Sequence, residues 1–139
     1  MAKIKLRKIV TEAGIYLWHR KHNHMMDNGV KLCQEQLTIY LEGYKKSPLR
    51  VYFTESDNKI RESGTGKWCV GYPEAGVIWL YEQNNTEMIY INLNRPAFIV
   101  KLIEFFIKEG WKPKQLDLPF EIKEGLKFLE IMDLPYESY

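Results

Sequence analysis

The chain has 139 residues, of which 45% are hydrophobic and 14% aromatic, and its formal net charge is +2. This length suits one domain, residues 1–139, with a single core, and no apolar run approaches the ~20 residues of a membrane-spanning helix. The N-terminal segment lacks the continuous apolar stretch of a signal peptide. We therefore expect a cytoplasmic protein with no membrane partner.

The charge is unevenly distributed along the chain. Residues 1–31 contain seven Lys or Arg and two acidic residues, a net charge of +5, which leaves −3 for the remainder. Such asymmetry can indicate an anionic partner. It can equally indicate a strand edge on which lysines prevent unwanted pairing.

The first predicted element is a strand over Lys3–Val10. Basic and apolar residues alternate there, which is the pattern of a half-buried strand. The pattern places Ile4 and Leu6 on the inward side.

A second strand is predicted over Gly14–Lys21, with Ile15 and Leu17 inward. A helix that starts at Thr11 remains an alternative, because residues three and four apart along this stretch also share a side. The polar segment 22–29 is predicted to be a loop.

Two further alternating strands are predicted at Gln36–Glu42 and Leu49–Thr54. The polar stretch Glu55–Gly66 then predicts a loop that is long enough to be functional. The two strands are expected to share an apolar face formed by Leu37, Ile39, Leu41, Leu49, Val51 and Phe53.

A short strand at Lys67–Tyr72 and a hairpin are predicted next. Val77–Tyr81 and Met88–Leu93 are rich in β-branched and aromatic residues, and a turn at Asn84-Asn85 joins them. The predicted register pairs Ile78 with Ile91, Trp79 with Tyr90, and Leu80 with Ile89. Alternation then gives an aliphatic face, formed by Ile78, Leu80, Ile89, Ile91 and Leu93, and an aromatic face, formed by Trp79, Tyr81 and Tyr90.

An amphipathic helix is predicted at about residues 95–109. Asn94 can cap its N-terminus, and Pro96 suits the first turn, where no N–H is needed. Gly110 suits a left-handed C-terminal cap, with Trp111 folding back on the last turn. The apolar stripe of the helix consists of Phe98, Ile99, Leu102, Ile103, Phe105, Phe106 and Ile107.

Two short elements are predicted at the end of the chain, a strand at Pro119–Ile122 and a helix at Glu124–Met132. Taken together, the patterns predict an α+β fold. We expect a mainly antiparallel, curved sheet of about five to seven strands. The helix at 95–109 is expected to pack on one face of this sheet.

The three histidines, His19, His22 and His24, lie in one segment. Imidazoles this close can ligate zinc or copper, with Asp27 as a further ligand. If the segment is extended, His22 and His24 share a face and His19 lies on the other. The spacing matches no standard metal motif, so the alternative is a set of exposed polar residues, and no cofactor is predicted.

The two cysteines are candidates for nucleophilic catalysis. Cys33 follows the histidine-rich segment, so an enzyme that uses Cys33 with a histidine is one hypothesis. Cys69 lies between apolar residues of a predicted strand, which favours a packing role. No P-loop, GxSxG, HExxH or GxGxxG motif is present in the sequence. Two buried reduced thiols in a protein without enzymatic activity are therefore the main expectation.

Aromatic residues on neighbouring strands, with basic residues near the strand ends, form the main candidate binding surface. Such a surface is typical of protein interfaces, and the leading hypothesis is a non-enzymatic interaction module that binds another protein, such as a toxin or a regulator. The surface can also bind single-stranded nucleic acid with help from the basic N-terminus, or it can be covered by the rest of the chain. The candidate residues are Arg61, Lys67, Trp68, Tyr72, Trp79, Tyr81, Tyr90 and Arg95.

Overall fold

Strands dominate the fold. The computed structural model describes residues 5–27, 29–54, 67–71, 74–81, 89–129 and 131–138. Within these ranges the strands are β1 (Arg7–Thr11), β2 (Gly14–Asp27), β3 (Val30–Leu41), β4 (Leu49–Thr54), β5 (Lys67–Val70), β6 (Val77–Tyr81), β7 (Ile89–Asn92), β8 (Phe120–Ile122) and β9 (Glu137–Ser138). The helices are α1 (Pro96–Lys108) and α2 (Leu126–Leu129).

The strands form two sheets. The order is β1-β2-β3-β4-β8 in the first sheet and β5-β6-β7-β9 in the second. Among the described strand pairs, only β4 and β8 run parallel. The predicted α+β class is confirmed, as is a mainly antiparallel sheet of five strands, whereas the second sheet is not predicted. Alternation identifies each strand, but it does not tell which strands pair across long stretches of chain.

β2 and β3 form a long hairpin whose pairing extends to Asp27 and Val30. The helix alternative for this region is therefore wrong. The predicted loop at 22–29 is also wrong, because β2 continues to the end of the hairpin. The dipeptide Asn28-Gly29 is a typical hairpin turn sequence, and Gly29 has the positive φ, +80°, that such turns need.

The far half of this hairpin projects beyond its neighbours in the described part of the chain. β1 pairs with β2 no farther than Trp18, and β4 pairs with β3 no farther than Gln34. We call the projecting part, residues 19–33, the arm. Both faces of the arm carry polar residues, and for this reason its sequence resembles a loop.

The inward residues of β2 differ from the prediction. Tyr16 and Trp18 are buried, whereas Ile15 and Leu17 are half-buried. Both faces of this strand carry large apolar side chains, so alternation alone cannot choose between them. The ring of Tyr16 packs against that of Trp111, with the centroids 6.0 Å apart.

β1 also differs from the prediction, because it starts later and buries the other set of residues. Ile9 is buried, while Leu6 and Val10 are exposed. The predicted inward residue Ile4 lies outside the described residues. Ile9 pairs with Tyr16 of β2, so both residues lie on the face that forms the core.

The predicted apolar face of β3 and β4 is confirmed. Cross-strand pairs such as Leu37 with Val51 bring the apolar residues to one side of the sheet. All six predicted residues are buried: Leu37, Ile39, Leu41, Leu49, Val51 and Phe53.

The predicted register of the β6–β7 hairpin is confirmed. The pairs are Ile78 with Ile91, Trp79 with Tyr90, and Leu80 with Ile89. The predicted turn at Asn84-Asn85 lies outside the described residues. Ile78, Ile91 and Leu93 are fully buried, so the aliphatic face of this hairpin packs on the core.

α1 has 13 residues, and the longer helix predicted at 95–109 is not formed. The predicted cap is also wrong, because Arg95 occupies the N-cap position and makes no capping hydrogen bond through its side chain. The Oδ1 atom of Asn94 instead accepts a hydrogen bond from Nε of Arg20 at 3.0 Å. The side chain of Asn94, which the sequence predicts as the cap of α1, therefore bonds to Arg20 of β2 instead. The buried residues of α1 are Phe98, Ile99, Leu102, Ile103 and Phe106.

The predicted C-terminal cap of α1 is confirmed. Gly110 has a φ of +118°, and the N–H of Trp111 donates to the carbonyl oxygen of Phe106 at 2.8 Å. This is the bond of a Schellman motif. The indole N–H of Trp111 is buried and donates to the carbonyl oxygen of Ser47 at 3.1 Å, which fixes the end of the helix to the loop after β3.

One continuous core joins both sheets to α1. It contains Phe53 from the first sheet and Ile78 and Ile91 from the second. Phe98 of α1 packs on Phe53, with the ring centroids 6.3 Å apart. The core therefore fixes the position of the two sheets relative to each other.

The last two predicted elements are present in shorter form. β8 has 3 residues and α2 has 4, each within its predicted range. Neither helix in the described part of the chain has the length and apolar character that a membrane crossing requires.

Candidate metal centre

The face of the β2–β3 hairpin that points to the core extends into the arm. There it carries polar side chains, some of which are of types that can bind metal ions. His22 pairs with Glu35 across the two strands, and His24 pairs with Cys33. Directly opposite residues share a face and lie close together. The four residues therefore form two adjacent cross-strand pairs on one side of the hairpin, with Glu35 just outside the arm.

Three of these residues bring potential metal ligands together. One ligand atom from each of His22, His24 and Cys33 lies within 4.8 Å of the other two. The Sγ atom of Cys33 is 3.9 Å from Nδ1 of His24. Tetrahedral Zn²⁺, with Zn–S near 2.3 Å and Zn–N near 2.0–2.1 Å, holds such ligand atoms about 3.5 Å apart. Binding of an ion therefore requires these side chains to move closer together.

Glu35 lies beside this cluster and is completely buried. Its Oε2 atom accepts a hydrogen bond from Nη1 of Arg20 at 2.7 Å, and its Oε1 atom accepts one from the backbone N–H of Gly76 at 2.9 Å. Oε1 also bonds to Nδ1 of His22. A buried carboxylate is tolerated only when it is paired and hydrogen-bonded, and these contacts meet that condition.

The contact between Glu35 and His22 determines which ring nitrogen is available to a metal. When Nδ1 donates its proton to the carboxylate, Nε2 of the neutral ring presents a lone pair. Histidine ligands in metal sites commonly donate their second N–H to a carboxylate, which fixes the orientation of the ring. His22 thus has the hydrogen-bonding partner that is typical of a metal ligand.

The cluster is accessible from solvent. His24 is exposed, while His22 and Cys33 are half-buried, and Cys33 is a free thiol. Zinc sites with three protein ligands leave the fourth position to water or a substrate atom. An ion held here would therefore be open to small molecules.

His19 does not belong to the cluster, because it lies on the opposite face of β2. It pairs with Thr38, and in the described part of the chain its buried Nδ1 atom has no hydrogen-bond partner. Burial lowers the pKa of His19 below its usual value of 6.5, and the positive charges of Arg50 and Lys21 lower it further. Asp27, the other predicted ligand, ends β2, and its side chain is outside the described part of the structure.

The sequence patterns indicate no role for Glu35 or Arg20, and they do not indicate Cys33 as a ligand beside the histidines. The available signal is the Asn28-Gly29 turn. Counting outward from a two-residue turn at this position pairs each residue of β2 with its partner on β3, including His24 with Cys33. Treating the segment as a loop removes this register and therefore hides the site.

The predicted aromatic surface is only partly described. Trp79 and Tyr90 are a cross-strand pair and both are half-buried. Arg95 is exposed and forms an ion pair with Glu137, with 3.3 Å between Nη2 and Oε1. Trp68 pairs with Leu80, so its register position is on the aliphatic side and not beside Trp79.

The other predicted residues of this surface cannot be compared with the structure. Arg61 and Tyr72 lie outside the described residues, as do the side chains of Lys67, Trp68 and Tyr81. The hypotheses of a protein interface and of nucleic-acid binding at this surface therefore stay predictions.

Comparison of the chain with protein-family models, with curated proteins and with solved structures finds no match. The functional assignment therefore depends on the chemistry of the residues that the fold brings together.

Proposed function

We propose that the protein binds a transition-metal ion, Zn²⁺ by the nature of its ligands, between His22, His24 and Cys33. One observation carries this proposal. Three potential ligands from two adjacent strands converge within 4.8 Å, and a buried carboxylate is bonded to one of the two imidazoles.

The chemistry of the ligands favours zinc over the common hard cations. Imidazole and thiolate are ligands of Zn²⁺, whereas Ca²⁺ and Mg²⁺ require oxygen ligands. Cu(I) also binds thiolate and imidazole, so it is the main competitor for the same residues. With three protein ligands, the ion keeps a position for water, and it polarises whatever occupies that position.

Zinc affinity of the purified chain tests this proposal. Competition with a chromogenic chelator is expected to give one ion per chain, and Cys33→Ser and His24→Ala are expected to lose most of the affinity. The matched controls are Cys69→Ala and His19→Ala, which remove a thiol and an imidazole outside the cluster. A wild-type chain that binds no zinc, or controls that lose as much affinity as the cluster variants, would overturn the proposal.

A second candidate function uses the same residues without a metal. The 3.9 Å separation between Cys33 Sγ and His24 Nδ1 favours a thiol that the imidazole activates as a nucleophile. In this case metal-free protein should react rapidly with iodoacetamide at Cys33, and His24→Gln should slow the reaction. Equal alkylation rates for wild type and His24→Gln would exclude this function.

A further inference from the structure

The cluster and the adjacent Glu35 contact the second sheet at the two ends of the β5–β6 connection. Gly76, at one end, donates its backbone N–H to Glu35 at 2.9 Å. Gly71, at the other end, lies against the imidazole, since a Cβ atom built on it would be 2.7 Å from Cε1 of His22 and 3.5 Å from Cβ of Cys33. Two separate contacts therefore connect the β2–β3 hairpin of the first sheet to the second sheet.

Glu35 connects the same region to the start of α1. Arg20 donates to Glu35 through Nη1 and to Oδ1 of Asn94 through Nε. The carbonyl oxygen of Gly76 accepts a hydrogen bond from the N–H of Leu93 at 2.8 Å. The carboxylate thus lies where β2, the start of β6 and the residues before α1 meet.

We infer that metal binding strengthens the attachment of the β5–β6 connection to the arm, with His22 and Glu35 as the link. This inference rests on the proposed metal site. When a metal occupies Nε2 of His22, the ring proton must stay on Nδ1, and the ring cannot rotate. Metal binding therefore keeps the hydrogen bond between Nδ1 of His22 and Oε1 of Glu35 in place. The N–H of Gly76 donates to the same oxygen, so its hydrogen bond is strengthened as well.

Linkage makes the effect reciprocal. If the metal stabilises the attached connection, a change that pushes the connection away from His22 weakens metal binding in turn. Gly71→Ala is such a change, because the new methyl group would contact Cε1 of His22. Gly43→Ala is the matched control, since Gly43 has a similar φ of +91°, against +75° for Gly71, and nothing within 4 Å of an added Cβ. Both variants place a side chain at a positive φ, which strains the backbone. Only the methyl group of Gly71→Ala contacts His22, a proposed metal ligand.

Amide hydrogen exchange of the full chain, measured by NMR with and without zinc, tests the inference. The amides of Gly71 and Gly76 are expected to exchange about tenfold more slowly with zinc, which is within the usual range of coupling between sites. The internal control is the amide of Leu118, which donates to Ser47 Oγ at 3.0 Å beyond the opposite end of β3. Gly71→Ala is expected to weaken zinc binding about tenfold relative to Gly43→Ala.

The outcomes separate this inference from the proposed function. If wild type binds no zinc, the metal site is wrong and the inference falls with it. If zinc binds but leaves exchange at Gly76 unchanged, and Gly71→Ala binds zinc as well as Gly43→Ala, the coupling is wrong while the metal site stands. Slower exchange at Gly71 and Gly76 and unchanged exchange at Leu118 would support the coupling.

Discussion

At the scale of single residues, Glu35 is a buried charged group held by three partners at once. Its carboxylate has no solvent exposure, and it bonds to a guanidinium, an imidazole and a backbone amide. Removing one member of a buried ion pair leaves the other without its partner, which destabilises a fold more than loss of the contact alone. Glu35 should therefore matter for both stability and metal binding.

Glu35→Gln tests both roles. The substitution keeps the size of the side chain and removes the charge that Arg20 and His22 face. We expect zinc affinity to fall about 10–100-fold, as for other residues that orient a metal ligand. The free energy of unfolding should fall by roughly 3 kcal/mol. This value is at the lower end of the range for breaking a buried ion pair, because the side chain of Arg20 is partly exposed. Urea denaturation and chelator competition measure the two effects.

Glu42→Gln is the control for this variant, since Glu42 is exposed just after the opposite end of β3. It should leave both quantities unchanged. Glu35→Gln with wild-type zinc affinity would contradict the role of Glu35 in orienting His22, whatever its effect on stability.

The burial of His19 should make the stability of the fold depend on pH. Burial and nearby positive charges lower its pKa in the folded state below the usual value of 6.5. The unfolded chain therefore binds this proton more readily, so the contribution of His19 is complete above about pH 6.5 and is lost as the pH falls below it. His19→Gln should remove this part of the pH dependence.

The measurement compares the melting temperatures of wild type and His19→Gln between pH 7.5 and 5. The remaining histidines are present in both proteins, so their contributions cancel in the difference. Parallel curves for the two proteins would contradict the predicted role of His19.

At the scale of elements, local signals predict the C-terminal cap of α1 and the register of the β6–β7 hairpin, but not the N-cap of α1 or the arm. Gly110 and Trp111 mark the end of α1 because a left-handed cap needs only neighbouring residues. The arm carries polar residues on both faces, so periodicity gives no sign of burial, and only its turn sequence indicates a strand pair. In β2, both Ile15 and Tyr16 carry large apolar surfaces, so alternation does not show which of them faces the core. Tyr16 faces it, where its ring packs against Trp111.

Phe106→Ala tests how far the fold depends on α1. Phe106 is completely buried and its ring lies near those of Phe120 and Phe128, with centroids 6.4 and 5.3 Å away. Truncation of such a side chain should lower the free energy of unfolding by about 3–5 kcal/mol. Ile107→Ala, at a neighbouring position that is 39% exposed, should have a much smaller effect. Similar losses for the two variants in urea denaturation would contradict this position of α1.

At the scale of the whole molecule, the two sheets meet at two different places. One is the apolar core around α1, and the other is the polar contact of Glu35 and His22 with the β5–β6 connection. Neither the division into two sheets nor the position of Gly76 beside Glu35 follows from the sequence, because both depend on pairings between distant parts of the chain. The ligands themselves are predictable in part, since alternation places His22 and His24 on one face once the segment is known to be extended.

X-ray absorption at the zinc edge of the loaded wild-type chain identifies the atoms that bind the ion and so tests the site at His22, His24 and Cys33. We expect one sulfur at about 2.3 Å, with nitrogen neighbours that include two imidazoles at about 2.0–2.1 Å. The sulfur should disappear in Cys33→Ser and remain in Cys69→Ala. A shell of nitrogen and oxygen alone in wild type, or a sulfur that persists in Cys33→Ser, would show that Cys33 does not bind the ion.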